Sequence, residues 1–170
     1  MNLYLMRHGI AAVAAKRSGT QSDGERPLTP KGIKRMRRAA RGLSRLKIAF
    51  DAILTSPLVR ARQTADIVAE ALGLEAELNE VSELAPENSV DRLISGINRF
   101  HNSKHLLIVG HNPLLSDAFA FFAAGKKDLA LEIELKKGGL CCIEVDGLPP
   151  SAPGTLQWLL TPKQLRLLGD

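Results

Sequence analysis

Short apolar runs alternate along this chain with stretches of helical period, and each run ends abruptly in polar residues. Residues 2–6, 52–54 and 105–109 are such runs, too short for helices and bounded like buried strands. Between them, Ile33, Met36, Ala40 and Leu43 recur at helical spacing, as do Ala61, Ala65, Val68 and Leu72. Val90, Leu93, Ile94 and Ile97 mark a further helix within 88–100, and another is expected from Asn112 through Ala124. Two late strands are expected at 140–145 and 156–160, with a short strand and loop within 74–84. Alternation of this kind predicts an α/β fold: a three-layer sandwich with a mostly parallel central sheet and helices on both faces. At 170 residues the chain is read as one domain, 1–170.

Three polar–proline pairs punctuate the pattern. Thr29-Pro30, Ser56-Pro57 and Asn112-Pro113 each read as a cap followed by a proline suited to a first helical turn. Gly73 stands where a helix would stop. Residues 11–27 show no period and read as a long loop, a length more often found at functional sites than as idle connection.

In sheets of this class, reactive groups gather at the carboxyl ends of the strands. That rule brings together Arg7-His8-Gly9, the segment from Ser56 to Arg60, and Gly110-His111. Two histidines and two arginines delivered to one edge suit a phosphoryl group. Guanidinium forks donate paired hydrogen bonds to its oxygens and keep their charge. A neutral imidazole can attack phosphorus, and neighbouring arginines lower its pKa. Gly9 permits close backbone approach to the phosphate. Asp23 and Arg26 lie where they could line the rim of the pocket or simply face solvent. His101 and His105 read as loop and strand-edge residues.

Charge is unevenly spread. Between Glu25 and Asp51 there is no acidic residue, but nine basic ones: Arg26, Lys31, Lys34, Arg35, Arg37, Arg38, Arg41, Arg45 and Lys47. The segment at 30–47 is thus a basic helix, either a solvated face or a surface that steers an acidic or phosphorylated partner. No aromatic residue lies in it, Phe50 coming only after its end, which counts against nucleic-acid binding by stacking. Cys141 and Cys142 are neighbours on a predicted strand, point to opposite faces and are poorly placed to bridge. No apolar stretch is long enough to span a bilayer, and the first run lacks the basic flank of a secretory signal, so a cytoplasmic location without membrane attachment is expected.

The motifs also carry a resemblance. Leu5-Met6-Arg7-His8-Gly9 resembles the signature of the histidine phosphatase superfamily, also called phosphoglycerate-mutase-like. Residues 27–32 resemble the stretch opening that family's first helix, Ser56 through Ala65 its second arginine motif, and Val109-Gly110-His111-Asn112-Pro113 its second histidine motif. They stand in the family's order and span most of the chain. The resemblance implies a covalent phosphohistidine at His8, phosphate binding by Arg7, Arg60 and His111, and neither metal nor organic cofactor. Only about thirty residues separate the helix ending near Leu72 from the strand starting near His105, which is similar to the small SixA-type phosphohistidine phosphatase branch. Its implied partner is a phosphorylated protein, a histidine-phosphotransfer domain among the candidates. Alternatives are a phosphatase of small phosphomonoesters, a phosphate-binding module without turnover, and a nucleic-acid binder using the basic helix. Glu83 lies roughly where the family's general acid would come, and Glu87 is the weaker candidate.

Overall fold

Successive residues of the first apolar run face opposite ways, and both directions are buried. In the computed structural model, which describes residues 1–13, 23–125 and 133–170, β1 (Asn2–Arg7) lies inside a six-stranded sheet ordered β3–β2–β4–β1–β5–β6. The remaining strands are β2 (Ala52–Thr55), β3 (Leu78–Glu80), β4 (His105–Gly110), β5 (Leu140–Glu144) and β6 (Thr155–Leu160). The pairs β1–β4, β4–β2 and β2–β3 are parallel, whereas β5 and β6 add an antiparallel flank. The sheet is therefore mixed, and its parallel part holds β1, β2 and β4, the strands that precede the histidine and arginine motifs, with β3 at its edge.

Helices α1 (Pro30–Arg45), α2 (Val59–Leu72) and α5 (Pro162–Leu168) cover one face, while α3 (Val90–Ile97) and α4 (Leu114–Ala124) cover the other. Leu3 and Leu5 pack with Leu93, Ile97, Leu115 and Phe119. Tyr4 and Met6 pack instead with Met36, Leu43, Val68 and Leu165. Each fully buried Leu or Phe adds about 2 kcal/mol from apolar burial. Cys141 and Cys142 divide between these two clusters as free thiols. His105 is structural, its Nδ1 2.8 Å from the Tyr4 hydroxyl. Among the described residues no helix is long and apolar enough to cross a membrane.

Of the three expected caps, one forms. Thr29 Oγ1 accepts from the Gly32 N–H at 2.9 Å, and Pro30 opens α1. Ser56 is not the cap of α2, which starts only at Val59 with Leu58 in the cap position. Asn112 is likewise displaced, since Pro113 holds the cap position of α4 without a side-chain bond. Both polar side chains are released from capping at the very strand ends where the histidine and arginine motifs meet. The last helix, α5, has no counterpart in the expected elements. It carries a capping box in which Thr161 and Gln164 satisfy each other's backbone N–H groups. Of the long loop expected at 11–27, residues 14–22 lie outside the described residues; its base is closed by a bridge between Ala11 and Leu28.

Candidate active site

Register alone brings the two histidine motifs together. Arg7 on β1 faces Gly110 on β4, so the next residue of each strand, His8 and His111, leaves the sheet side by side. The His8 N–H donates to the Gly110 carbonyl at 3.0 Å, and the ring centroids are 5.0 Å apart at 52°. Both rings are buried, at 7% and 2% exposure.

Hydrogen bonding decides which nitrogen of His8 is reactive. Nδ1 lies 2.7 Å from the Gly9 carbonyl oxygen, which can only accept. Nδ1 therefore carries the proton, and the lone pair of the neutral ring sits on Nε2. Burial pushes the His8 pKa down to about 4, assisted by the charges of Arg60, Arg7 and Lys137 against the opposing Gly9 bond. Burial likewise holds His111 down at about 3, with His8, Arg60 and Arg7 adding repulsion and Asp23 relieving part of it. Both imidazoles are neutral at pH 7.

Arg60 enters from the first turn of α2 and is 4% exposed. Its Nη1 donates to the Asp23 carbonyl at 2.7 Å and its Nη2 to Asp23 Oδ2 at 3.0 Å. Arg7 Nη1 donates to the Leu135 carbonyl at 3.0 Å. Asp23 thus takes both terminal nitrogens of Arg60, while Leu135 takes one of the two on Arg7. Arg7 Nε, Arg60 Nε and His111 Nδ1 are buried and without a protein partner, as are Arg26 Nε and the Asn112 Oδ1 acceptor among the described residues. A buried polar nitrogen left unpaired is costly unless a ligand meets it. Arg7 and Arg60 are the cations whose charges act on both rings, and N–H donors of this kind suit an oxyanion. A cleft of about 500 Å³ opens beside Arg7, walled by Asn112, Pro113, Asp117 and Leu135.

Two residues that sequence reasoning gave no such role organise this arrangement. Thr64 Oγ1 accepts from the Gly9 N–H at 3.0 Å and donates to the Arg60 carbonyl at 2.7 Å, tying the His8 turn to α2. Ser56 Oγ accepts from the Leu58 N–H at 3.3 Å and lies 2.8 Å from His111 Nε2. The four-residue spacing from Arg60 to Thr64 was the available signal for the first. The second shows only once β2 and β4 are paired. Asp23, expected at most on the rim, holds Arg60 directly.

Arg7, His8, Gly9, Arg60 and His111 are thus brought together. Glu83 makes its contacts elsewhere. Its carboxylate accepts from Ser82 Oγ at 3.0 Å, and its side chain lies over Gly96 of α3, where an added Cβ would stand 2.8 Å from Glu83 Cβ. Local hydrogen bonds, together with Arg99 and Arg92, keep it below the usual carboxylate range. Glu87 is exposed. Among the described residues, no three of His, Cys, Asp and Glu gather as a metal-binding group.

Residues 3–85 match the family described as Histidine phosphatase superfamily (branch 1). The chain is 36% identical over 129 residues to the phosphohistidine phosphatase SixA homolog of Haemophilus influenzae, covering 71% of this chain and 76% of that protein. It is 28% identical over 169 residues to the phosphohistidine phosphatase SixA of Escherichia coli, covering 98% of each. Among solved structures, the protein histidine phosphatase SixA complexed with tungstate superimposes with a TM-score of 0.82 at 28% identity, over 97% of this chain and 99% of that one.

Proposed function

The chain belongs to the histidine phosphatase superfamily, and from that premise we propose that it is a phosphatase in which His8 takes the phosphoryl group covalently before water removes it. The observation that carries this reading is the set of unpaired buried nitrogens around the paired imidazoles, beside a His8 ring whose Nε2 bears a lone pair.

The N–H groups of Arg7 Nε and Arg60 Nε meet the equatorial phosphoryl oxygens, where negative charge is spread in the transition state. With the Ser56 hydroxyl proton assigned to His111 Nε2, the neutral His111 ring holds its own proton on Nδ1 and donates it as a hydrogen bond to a third oxygen. His8 Nε2 attacks phosphorus in line. The P–N bond to His8 forms as the bond to the leaving group breaks, and the leaving group departs with the bonding pair. Water then attacks the phosphorus of phospho-His8. The P–N bond breaks, a proton from water is released, and inorganic phosphate leaves.

We further propose that the physiological donor is phosphohistidine on a protein. An alkoxide leaving from a phosphate ester needs a proton donor in the transition state. Glu83, the candidate for that task, is engaged with Ser82 and α3. An imidazole leaves without such help when its distal nitrogen is protonated. Two SixA proteins similar to this chain are named as phosphohistidine phosphatases, and the cleft lined by Arg7 gives a side chain presented by a partner room to meet that arginine.

The test is the ratio of kcat/KM on a phosphohistidine-bearing protein to that on a sugar phosphate. A ratio well above one, abolished by Arg60→Ala on both substrates, is expected. A preference for the ester would assign the enzyme to small phosphomonoesters, and binding of both without turnover would leave only a phosphate-binding module.

A further inference from the structure

The basic residues of segment 26–47 do not act as one surface. Arg38 pairs with Asp170, Arg41 Nε donates to the Gly169 carbonyl at 3.3 Å, and Arg45 donates to the carbonyls of Leu168 and Asp170. These three hold α5 on α1. Arg26 pairs with Asp23. Arg35 does something else. With Lys137 and with Arg166 of α5, it lines a small cleft whose wall includes Gly9 and Ile10, the two residues after His8.

Close backbone approach builds this cleft. A Cβ on Gly32 would stand 2.2 Å from the Ile10 carbonyl oxygen, and one on Gly9 would stand 2.7 Å from Met36 Cγ. Gly138 has φ +79°, and a Cβ there would stand 2.9 Å from Met36 Sδ. Glycine at these places lets α1 and the 136–139 turn close on the end of β1. The Gly138 N–H donates to the carbonyls of both Arg7 and His8, at 2.9 and 3.1 Å, so Lys137 rides on the segment that ends in the reactive ring.

Three cations from three elements therefore face one cleft. Neighbouring Lys136 has Glu134 at 3.4 Å, whereas Arg35, Lys137 and Arg166 form no ion pair within 4 Å among the described residues, Asp170 acting on Arg166 only from further away. Burial, then the charges of Arg35 and Arg38, lowers the Arg166 pKa against Asp170. Like charges gathered in a partly desolvated cleft repel one another until an anion enters. The reaction at His8 uses neither Arg35 nor Arg166.

We propose that Arg35, Lys137 and Arg166 form a second anion subsite, separated from the His8 pocket by Gly9, which takes a carboxylate side chain lying close to the phosphohistidine of a protein substrate. This rests on the phosphoprotein reading above. Asp and Glu are the ordinary anions of a protein surface, and guanidinium forks match a carboxylate in geometry.

The core comparison uses phosphoramidate, a phosphohistidine peptide flanked by Asp, and the same peptide flanked by Ala. Wild type turns over the Asp peptide with kcat/KM about tenfold higher than the Ala peptide, carried by KM, as expected for about 1.4 kcal/mol of charge-assisted bonding. Arg35→Gln/Arg166→Gln leaves phosphoramidate turnover unchanged and removes the preference. Arg35→Glu, folded by its thermal transition, favours a Lys-flanked peptide over the Asp one. Equal rates on both peptides in wild type, or a preference that survives the double substitution, overturns the assignment. Turnover of phosphoramidate but of neither peptide sinks the phosphoprotein reading and the subsite with it. A small bisphosphate preferred over its monophosphate, with that preference lost in the double variant, also overturns it, because the second anion would then be a phosphate.

Discussion

Acidification should destabilise this protein through its active site, and one substitution should isolate the effect. Burial and nearby cations hold His8 at about 4, against an ordinary 6.5, and His111 at about 3. Between the folded and unfolded values, the unfolded chain binds the extra proton and the folded chain does not. Stability therefore rises with pH through that window and is lost as pH falls from about 6.5 toward 4 for His8. Going from pH 7 to pH 5 costs about 2 kcal/mol for each ring by linkage. Replacing His8 by Asn deletes one titrating ring and leaves the surface carboxylates as they were. Urea unfolding at pH 7 and pH 5 should show wild type losing about 2 kcal/mol more than His8→Asn over that interval. The same pKa values place the acid limb of kcat/KM near pH 4 rather than 6.5. Equal pH losses in the two proteins, or a His8 ring titrating near 6.5 by NMR, would refute the claim that the pocket holds its imidazoles neutral.

Other perturbations follow from the same geometry. Thr64→Val strips the Gly9 N–H and the Arg60 turn of their shared hydroxyl; leaving that buried N–H unpaired should cost about 1–3 kcal/mol in urea unfolding and lower kcat/KM. Ser56→Ala frees His111 Nε2 in a buried site and should lower the thermal midpoint together with kcat, with KM changing less. Gly32→Ala drives a methyl against the Ile10 carbonyl, a backbone atom that cannot swing aside, and should destabilise the fold by about 2 kcal/mol or more; wild-type stability in that variant would show that α1 can move away from β1.

Much of this architecture was legible because strand ends and helix periods are local signals. The runs before Arg7, Ser56 and Gly110 became β1, β2 and β4, and their parallel pairing set the site at one edge. Cap residues misled where tertiary contacts claimed the same side chain. Ser56 and Asn112 look like Thr29 in sequence, yet only Thr29 caps a helix: Ser56 contacts His111 across the sheet, whereas Asn112 is displaced by Pro113 at the cap position and its Oδ1 is left without a partner. Helix α5 was missed although Thr161-Pro162 repeats the polar–proline signal, since its seven residues bury only Leu165 and carry no clear period. The roles of Asp23 and Lys137 were invisible for another reason. They reach the site through loops, and nothing in local spacing reports what a loop is folded against.

The most direct test follows the phosphorus atom. Rapid mixing with a labelled phosphohistidine protein, an alkaline denaturing quench and peptide mapping should find an acid-labile phosphate on the peptide containing His8, absent in His8→Asn. Label on another residue, or full turnover by a protein without His8, would contradict the assignment of His8 as the group that takes the phosphoryl.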